Sequence, residues 1–225
     1  MEGLRNRQLP TLINALRSLN DRLLFAVPKK GRLQQACLDL LLGSDIKFHR
    51  NNRLDIALVM NLPLALVFLP AADIPMYVGE GRVDLGITGR DTCVEHEAAE
   101  PPTETTGVRE IMDLEFGKCK LQVQVPENGD IQTPEDLVGK NIVTSFTNLS
   151  AKYFAELEAK VTQSNGETNG DGGHKALRTH IKHAGGSVEA ACALGVADGI
   201  VDLVGMSMHS IPLVGSDTLT TCRIR

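Results

Sequence analysis

The chain has 225 residues, 42% of them apolar and 23% charged, a composition ordinary for a soluble globular protein with one large core or two modest ones. Its formal net charge of −5 offers no electrostatic footprint for nucleic acid or an anionic membrane, and no apolar run is long enough to span a bilayer, so neither is an expected partner. The 5 cysteines are scattered with no Cys-x-x-Cys pair, which reads as reduced thiols in a cytoplasmic protein, and anionic ligands must be met by local basic turns and backbone amides.

Residues 1–21 carry Leu9, Leu12, Ile13, Leu16 and Leu19 at amphipathic helical spacing. Serines are sparse there, so a peripheral N-terminal helix is expected rather than a transit peptide. Residues 23–27 form a buried-strand run that empties through Pro28-Lys29-Lys30-Gly31-Arg32 into a helical pattern over 33–42. A strand leading through a basic, glycine-containing turn into a helix N-terminus is a general recipe for holding phosphate, although many such turns are only solvated. Residues 46–50 and 55–59 read as successive strands around an Asn51-Asn52 turn. By residue type alone Arg53 is a solvated edge residue, and His49 is structural.

Residues 64–69 predict a buried strand ended by Pro70, and Asp73 predicts the N-cap of a short helix through Val78. Residues 83–89 predict another strand, with Gly89 turning the chain over its C-terminal edge, the place where open parallel sheets bind ligands. Residues 95–107, acidic and rich in Pro and Thr, read as a surface connection and domain hinge. Strand signals follow at 108–114, 119–125 and 140–144, with a helical turn at 136–138 and an amphipathic helix at 149–160. Cys119 has no basic partner at a telling spacing and reads as an inert thiol. Residues 163–173 predict a surface loop. His180 and His183 would face opposite sides of a strand, which argues against a metal pair.

The last patterned stretch runs from Gly185 to Val204. Gly185 and Gly186 allow close backbone approach, Ser187 is a candidate N-cap for a helical run to Leu194, and Gly195 ends that run. Ile200, Val201, Leu203 and Val204 then form a strand interrupted by Asp202, an acid that is costly there unless paired or bound. Glu189, Asp198 and Asp202 on glycine-rich backbone suit the hydroxyls of a sugar; the bland alternative is a helix cap and two surface turns.

That run resembles the signature of the ATP phosphoribosyltransferase family, through Glu189, Gly195, Ala197, Ile200, Asp202 and Leu203. The likeness extends to Pro28-Lys29-Lys30-Gly31-Arg32, Asp73-Ile74-Pro75, the run from Val83 to Gly89, residues 116–121 and Thr144-Ser145-Phe146, or about 23–204 in all. The resemblance implies an α/β protein of two lobes with mostly parallel or mixed sheets, periplasmic-binding-protein-like, its active site in the interlobe cleft. It implies an N-terminal extension at 1–21, a first lobe at 22–100 completed by about 200–225, and a second lobe at 101–199. The regulatory C-terminal domain of the family's long form is expected to be absent.

It further implies condensation of ATP, through N1, with phosphoribosyl pyrophosphate (PRPP), giving phosphoribosyl-ATP and pyrophosphate in the first step of histidine biosynthesis. Arg32 and Arg53 would be catalytic. Lys29, Asp73, Gly89, Asp91, Lys120, Ser145, Ser187, Glu189, Asp198 and Asp202 would bind substrate. Mg²⁺ would be carried mainly by PRPP, with no protein ligand set, and the intact protein would be a homo-oligomer. A non-catalytic two-lobed small-ligand-binding module is the alternative.

After Val204 the motif departs, because Met206-Ser207-Met208-His209 stand where the family has a Ser/Thr-Gly-x-Thr loop for the ribose 5-phosphate. The expectation is weakened PRPP binding and an inactive, truncated copy. Gly205-Met206-Ser207 is compatible with codons that contain an intron start, so 205–225 reads as translated intron; a natural short form is the other reading. Residues 211–225 predict no element.

Overall fold

The computed structural model describes residues 19–224 except 20, 51–53, 128, 165–176, 187 and 206–219, with backbone alone for 205 and 220–224. The expected N-terminal helix, the Asn51-Asn52 turn and nearly all of the expected 163–173 loop therefore lie outside the described residues. The chain divides into two compact units, Met1–Gly117 and Lys118–Arg225.

In the first unit, β1 (Leu23–Pro28), β2 (Ile56–Leu58), β3 (Leu64–Leu69) and β4 (Leu85–Gly86) form a sheet in the order β2-β3-β1-β4. β1 runs parallel to β3, from Leu23 opposite Leu64 to Pro28 opposite Leu69, and parallel to β4; β2 is antiparallel on the outer side of β3. The near-continuous apolar sequences of β1 and β3 suit strands covered on both faces. Helix α1 (Arg32–Gly43) buries Cys37 and Leu41 against Val27, Leu66 and Phe68 on one face. Helix α2 (Ile74–Gly79) sets Ile74 against Ala26 and Val83 on the other. The unit is thus doubly wound, and the loops leaving β1 and β3 diverge at the C-terminal edge.

Several expectations are corrected here. Of the expected 83–89 strand only Leu85–Gly86 is regular strand; the Asp84 and Ile87 N–H groups still reach the Leu24 and Ala26 carbonyls at 3.0 and 2.9 Å, while the Leu24 N–H goes to the Asp84 carboxylate at 2.7 Å. Residues 46–50 contribute one antiparallel bridge, Phe48 to Val59, rather than a strand, and Arg50 lies over the Phe68 ring at 3.8 Å. Helix α3 (Arg90–Ala99) takes in the first part of the expected hinge. The run Glu95-His96-Glu97-Ala98-Ala99 contains good helix formers, and the Pro101-Pro102 pair follows them. Residues 108–114 join neither sheet, and Ile111 and Met112 stand exposed.

A Cβ placed on Gly86 would come within 2.5 Å of the Ile74 Cγ2 methyl and 3.1 Å of Val78 Cγ2. Both are stiff β-branched side chains, so Gly86→Ala should lower the unfolding free energy by about 1–3 kcal/mol through overpacking. Urea unfolding checks this.

The second unit holds β5 (Cys119–Pro126), a 3₁₀ turn (Pro134–Leu137), β6 (Asn141–Thr144), helix α4 (Thr147–Ser164), β7 (His180–His183), helix α5 (Glu189–Ala193), β8 (Gly199–Gly205) and β9 (Thr220–Ile224). Its sheet has the order β7-β6-β8-β5-β9, with β8 parallel to β6 and antiparallel to β5. Phe154 and Leu157 of α4 pack on Val123, Ile142 and Val201, while Val188 packs with Val143 and Ile200 on the opposite face. Consecutive Ile200 and Val201 are both fully buried, as a central strand requires.

For the described part of 200–225 that placement differs from the expected first lobe: β8 lies at the centre of the second sheet and β9 flanks β5 in parallel. The boundary lies at Gly117/Lys118, not near residue 100. Residues 220–224 form a strand where none was expected.

Candidate active site

The first unit gathers charged and polar groups where β1, β3 and β4 end. Gly31 is the N-cap of α1 and Arg32 its first, exposed residue. The Lys29 N–H extends the β1–β3 ladder to the Leu69 carbonyl at 2.7 Å, and its carbonyl accepts Gln34 Nε2 at 2.7 Å. Its Nζ lies 2.8 Å from Asp55 Oδ1 and 3.0 Å from Oδ2. Thr88 Oγ1 donates to the Ala71 carbonyl at 2.7 Å, tying the loop after β4 to the loop after β3. Asp73 occupies the N-cap of α2 but makes no side-chain cap bond, since its own backbone is already helical.

Gly89 caps α3, and a side chain there would run into the Asp91 carboxylate, which folds back over the helix start. Burial raises the Asp91 carboxyl above its ordinary value; its own N–H, the Thr92 hydroxyl and N–H, and the Arg32 charge oppose that rise. The coupling to Arg32 links the start of α1 to the start of α3. Arg53 lies outside the described residues.

In the second unit, Asp202 on β8 is opposite Gln122 on β5, and Lys120 is opposite Val204. Directly paired residues share a face, as do residues two apart on one strand, so Asp202, Gln122 and Lys120 project to the same side. This is also the side of Ile200 and Val143, where Val188 packs. Ser145, two residues beyond Val143, follows the C-terminal end of β6, and Glu189 is exposed in the first turn of α5. Ser145, Asp202, Lys120 and Glu189 therefore belong to one side of the sheet. Asp202 Oδ1 accepts the Leu203 N–H at 2.8 Å.

Ser187 lies outside the described residues, and Val188 occupies the N-cap of α5 without a side-chain bond. At the other end of α5, Gly195 takes φ +67°, donates to Cys192, and lets Val196 donate back to Ala191, closing the helix as a Schellman turn.

Asp198 is not with the other acids. Its Oδ2 accepts the Asn141 N–H at 2.8 Å and Asn141 Nδ2 at 3.2 Å, clamping the N-terminal ends of β6 and β8. Four residues of β6 separate that end from Ser145, about 13 Å of extended chain. Asp198 is a structural clamp, and Asp198→Ala should cost about 1–3 kcal/mol by stranding the half-buried Asn141 amide. Thermal melting against the unaltered chain reads this.

Sequence reasoning missed Asp55 and Gln122. Asp55 lies 26 residues from Lys29 with no motif joining them. Gln122 could be found only by the strand register. Burial raises the Cys37 and Cys93 thiols to about 11, so neither is a ready thiolate.

Doubly wound α/β units with polar and charged groups gathered at strand C-terminal ends have the architecture of small-ligand-binding α/β proteins. The sequence profile of ATP phosphoribosyltransferase matches residues 70–222, continuing past Val204 where the motif-by-motif likeness stops. The chain belongs to this family. It is 59% identical over 192 residues to the ATP phosphoribosyltransferase of Yarrowia lipolytica, covering 85% of this chain and 58% of that one. With the Saccharomyces cerevisiae enzyme it shares 52% over 203 residues, covering 89% and 62%. The chain thus spans about three fifths of the length of these curated relatives. The ATP phosphoribosyl transferase (HisG:HisZ) complex from Thermotoga maritima shares the fold, with a TM-score of 0.58, 23% identity, and coverage of 82% of this chain and 74% of that one.

Proposed function

We propose that the chain carries out the transferase reaction of its family, joining N1 of ATP to C1 of the ribose of PRPP. The C1–N1 bond forms as the C1–O bond to pyrophosphate breaks, so no nucleophilic side chain is needed and the strain falls on an oxocarbenium-like ribose and the departing pyrophosphate anion. The observation that carries the reading is the basic turn at the end of β1, with Lys29 held on the ladder and Arg32 exposed at the start of α1. There cations and helix amides can stabilise leaving-group charge. Asp202 and Glu189 would accept hydrogen bonds from ribose hydroxyls, a reading supported by their sharing one side of the second sheet with Ser145 and Lys120. Gly89 and Asp91 would flank the nucleotide, as would Asp73, whose carboxylate the α2 cap leaves unused.

Mg²⁺ arrives on the PRPP as part of the substrate, in keeping with its preference for phosphate and water oxygens. No group of three His, Cys, Asp or Glu side chains among the described residues is arranged as a metal cage. Met206-Ser207-Met208-His209, in place of the 5-phosphate loop, should raise KM for PRPP above that of relatives with the loop. No described helix is long and apolar enough to cross a membrane. A cytoplasmic homo-oligomer is part of the proposal.

The test is to incubate the folded chain with ATP and Mg-PRPP and follow phosphoribosyl-ATP and pyrophosphate together. Equimolar formation of the two products is expected. Tight binding of ATP or PRPP with no turnover would leave a ligand-binding module instead.

A further inference from the structure

Lys29 differs from its neighbours in the basic turn: among the described residues, neither Lys30 nor Arg32 has a direct ion pair. Lys29 has its backbone N–H on Leu69 and its ammonium on both oxygens of Asp55. Asp55 is itself fixed to the sheet, because its carbonyl accepts the Phe68 N–H at 2.7 Å just before β2 begins. An ammonium has three donors, and one carboxylate whose oxygens lie side by side cannot take all of them. Lys29 also keeps 43% of its side-chain surface open, so the ammonium remains reachable.

We propose that Asp55 is a positioning residue, holding the Lys29 ammonium at the C-terminal end of β1 so that its remaining donor meets a phosphate of the substrate. The proposal rests on the transferase reading for the identity of that phosphate. Two effects of Asp55 on a bound anion oppose each other. Its charge repels the anion, but 55% exposure lets solvent and salt screen that repulsion. Its grip also removes the rotamer freedom of a long, flexible side chain before the ligand arrives, which is the larger effect for an exposed pair.

The experiment is calorimetric titration of inorganic pyrophosphate into the full chain and into Asp55→Asn, Asp55→Glu, Lys29→Gln and the Asp55→Asn/Lys29→Gln double variant, each first checked for an unchanged melting curve. Asp55→Asn should weaken binding about three- to tenfold, the penalty of leaving one long side chain to be ordered by the ligand. Asp55→Glu should restore most of that loss. In the Lys29→Gln background Asp55→Asn should add nothing, because the two residues act as one unit. Unchanged or tighter binding by Asp55→Asn, or an equal loss in both backgrounds, overturns the positioning role alone. Absence of pyrophosphate binding by the unaltered chain overturns the transferase reading and this role together.

Discussion

On the proposed transferase reading, Arg32→Leu is expected to lower kcat/KM for the condensation of ATP with PRPP by a factor of about 10²–10³, the usual loss when one preorganised charge at a developing anion is removed. The residue is exposed at the first position of α1, so the substitution empties no core and the chain should melt as before. The helix begins one residue after Gly31, and the arginine adds a full charge to the partial charge of the helix start. Its field also reaches Asp91, whose carboxyl should rise further once that opposing charge is gone. Arg32→Lys should recover part of the loss, because it keeps the charge but not the planar fork that binds two oxygens at once. Steady-state pyrophosphate release measures both variants. Full activity in Arg32→Leu would remove this turn from the chemistry.

Glu158→Ala should destabilise the second unit by about 1–3 kcal/mol. The carboxylate on α4 accepts the Arg178 N–H at 3.0 and 3.1 Å, the Thr179 N–H at 2.8 Å and Thr179 Oγ1 at 2.7 Å, fastening the entry to β7 onto the helix. Thr179 is buried and its hydroxyl also accepts the Gly139 N–H, so truncating Glu158 strands donors that water reaches poorly. Burial alone would raise the Glu158 carboxyl, but the bonds from Arg178 and Thr179 and the Arg178 charge together hold it below its ordinary value of 4.5. A depressed folded-state value means the stabilisation is complete above the ordinary range and is lost as pH falls through the lowered value. Unfolding curves at pH 7 and in the window below pH 4.5 should therefore converge for the unaltered chain and the variant at the acid end. A constant gap across that range would contradict this account.

What could be read from the sequence was what local pattern encodes. β1 and β3 are apolar runs of 6 residues, and α1 follows a basic turn, so both elements and the turn were legible in order. The family likeness supplied roles for residues that no pattern could assign, Arg53 among them. Patterns failed where tertiary pairing decides. Residues 108–114 look like a strand but have no partner in either sheet. β8 was recognised as a strand yet placed in the wrong lobe, because its neighbours β6 and β5 are set by a register that local sequence does not carry. Asp198 and Asp202 are both acids in the same signature, yet one clamps a strand start and the other stands mid-strand. Four residues along a strand are about 13 Å, a separation that residue type cannot express.

The hydrogen bond from the Lys29 amide to Leu69 also has a kinetic meaning. Lys29 starts the basic turn but its N–H belongs to the ladder of β1 and β3, so its proton should exchange with deuterated solvent only when those strands part. The amides of Lys30 and Gly31, one and two residues on, take no part in that ladder and should exchange far sooner. The rhythm of the basic turn is thus split within a few residues. Its first lysine moves on the slow clock of the sheet, and the stretch that follows on the fast clock of the loop.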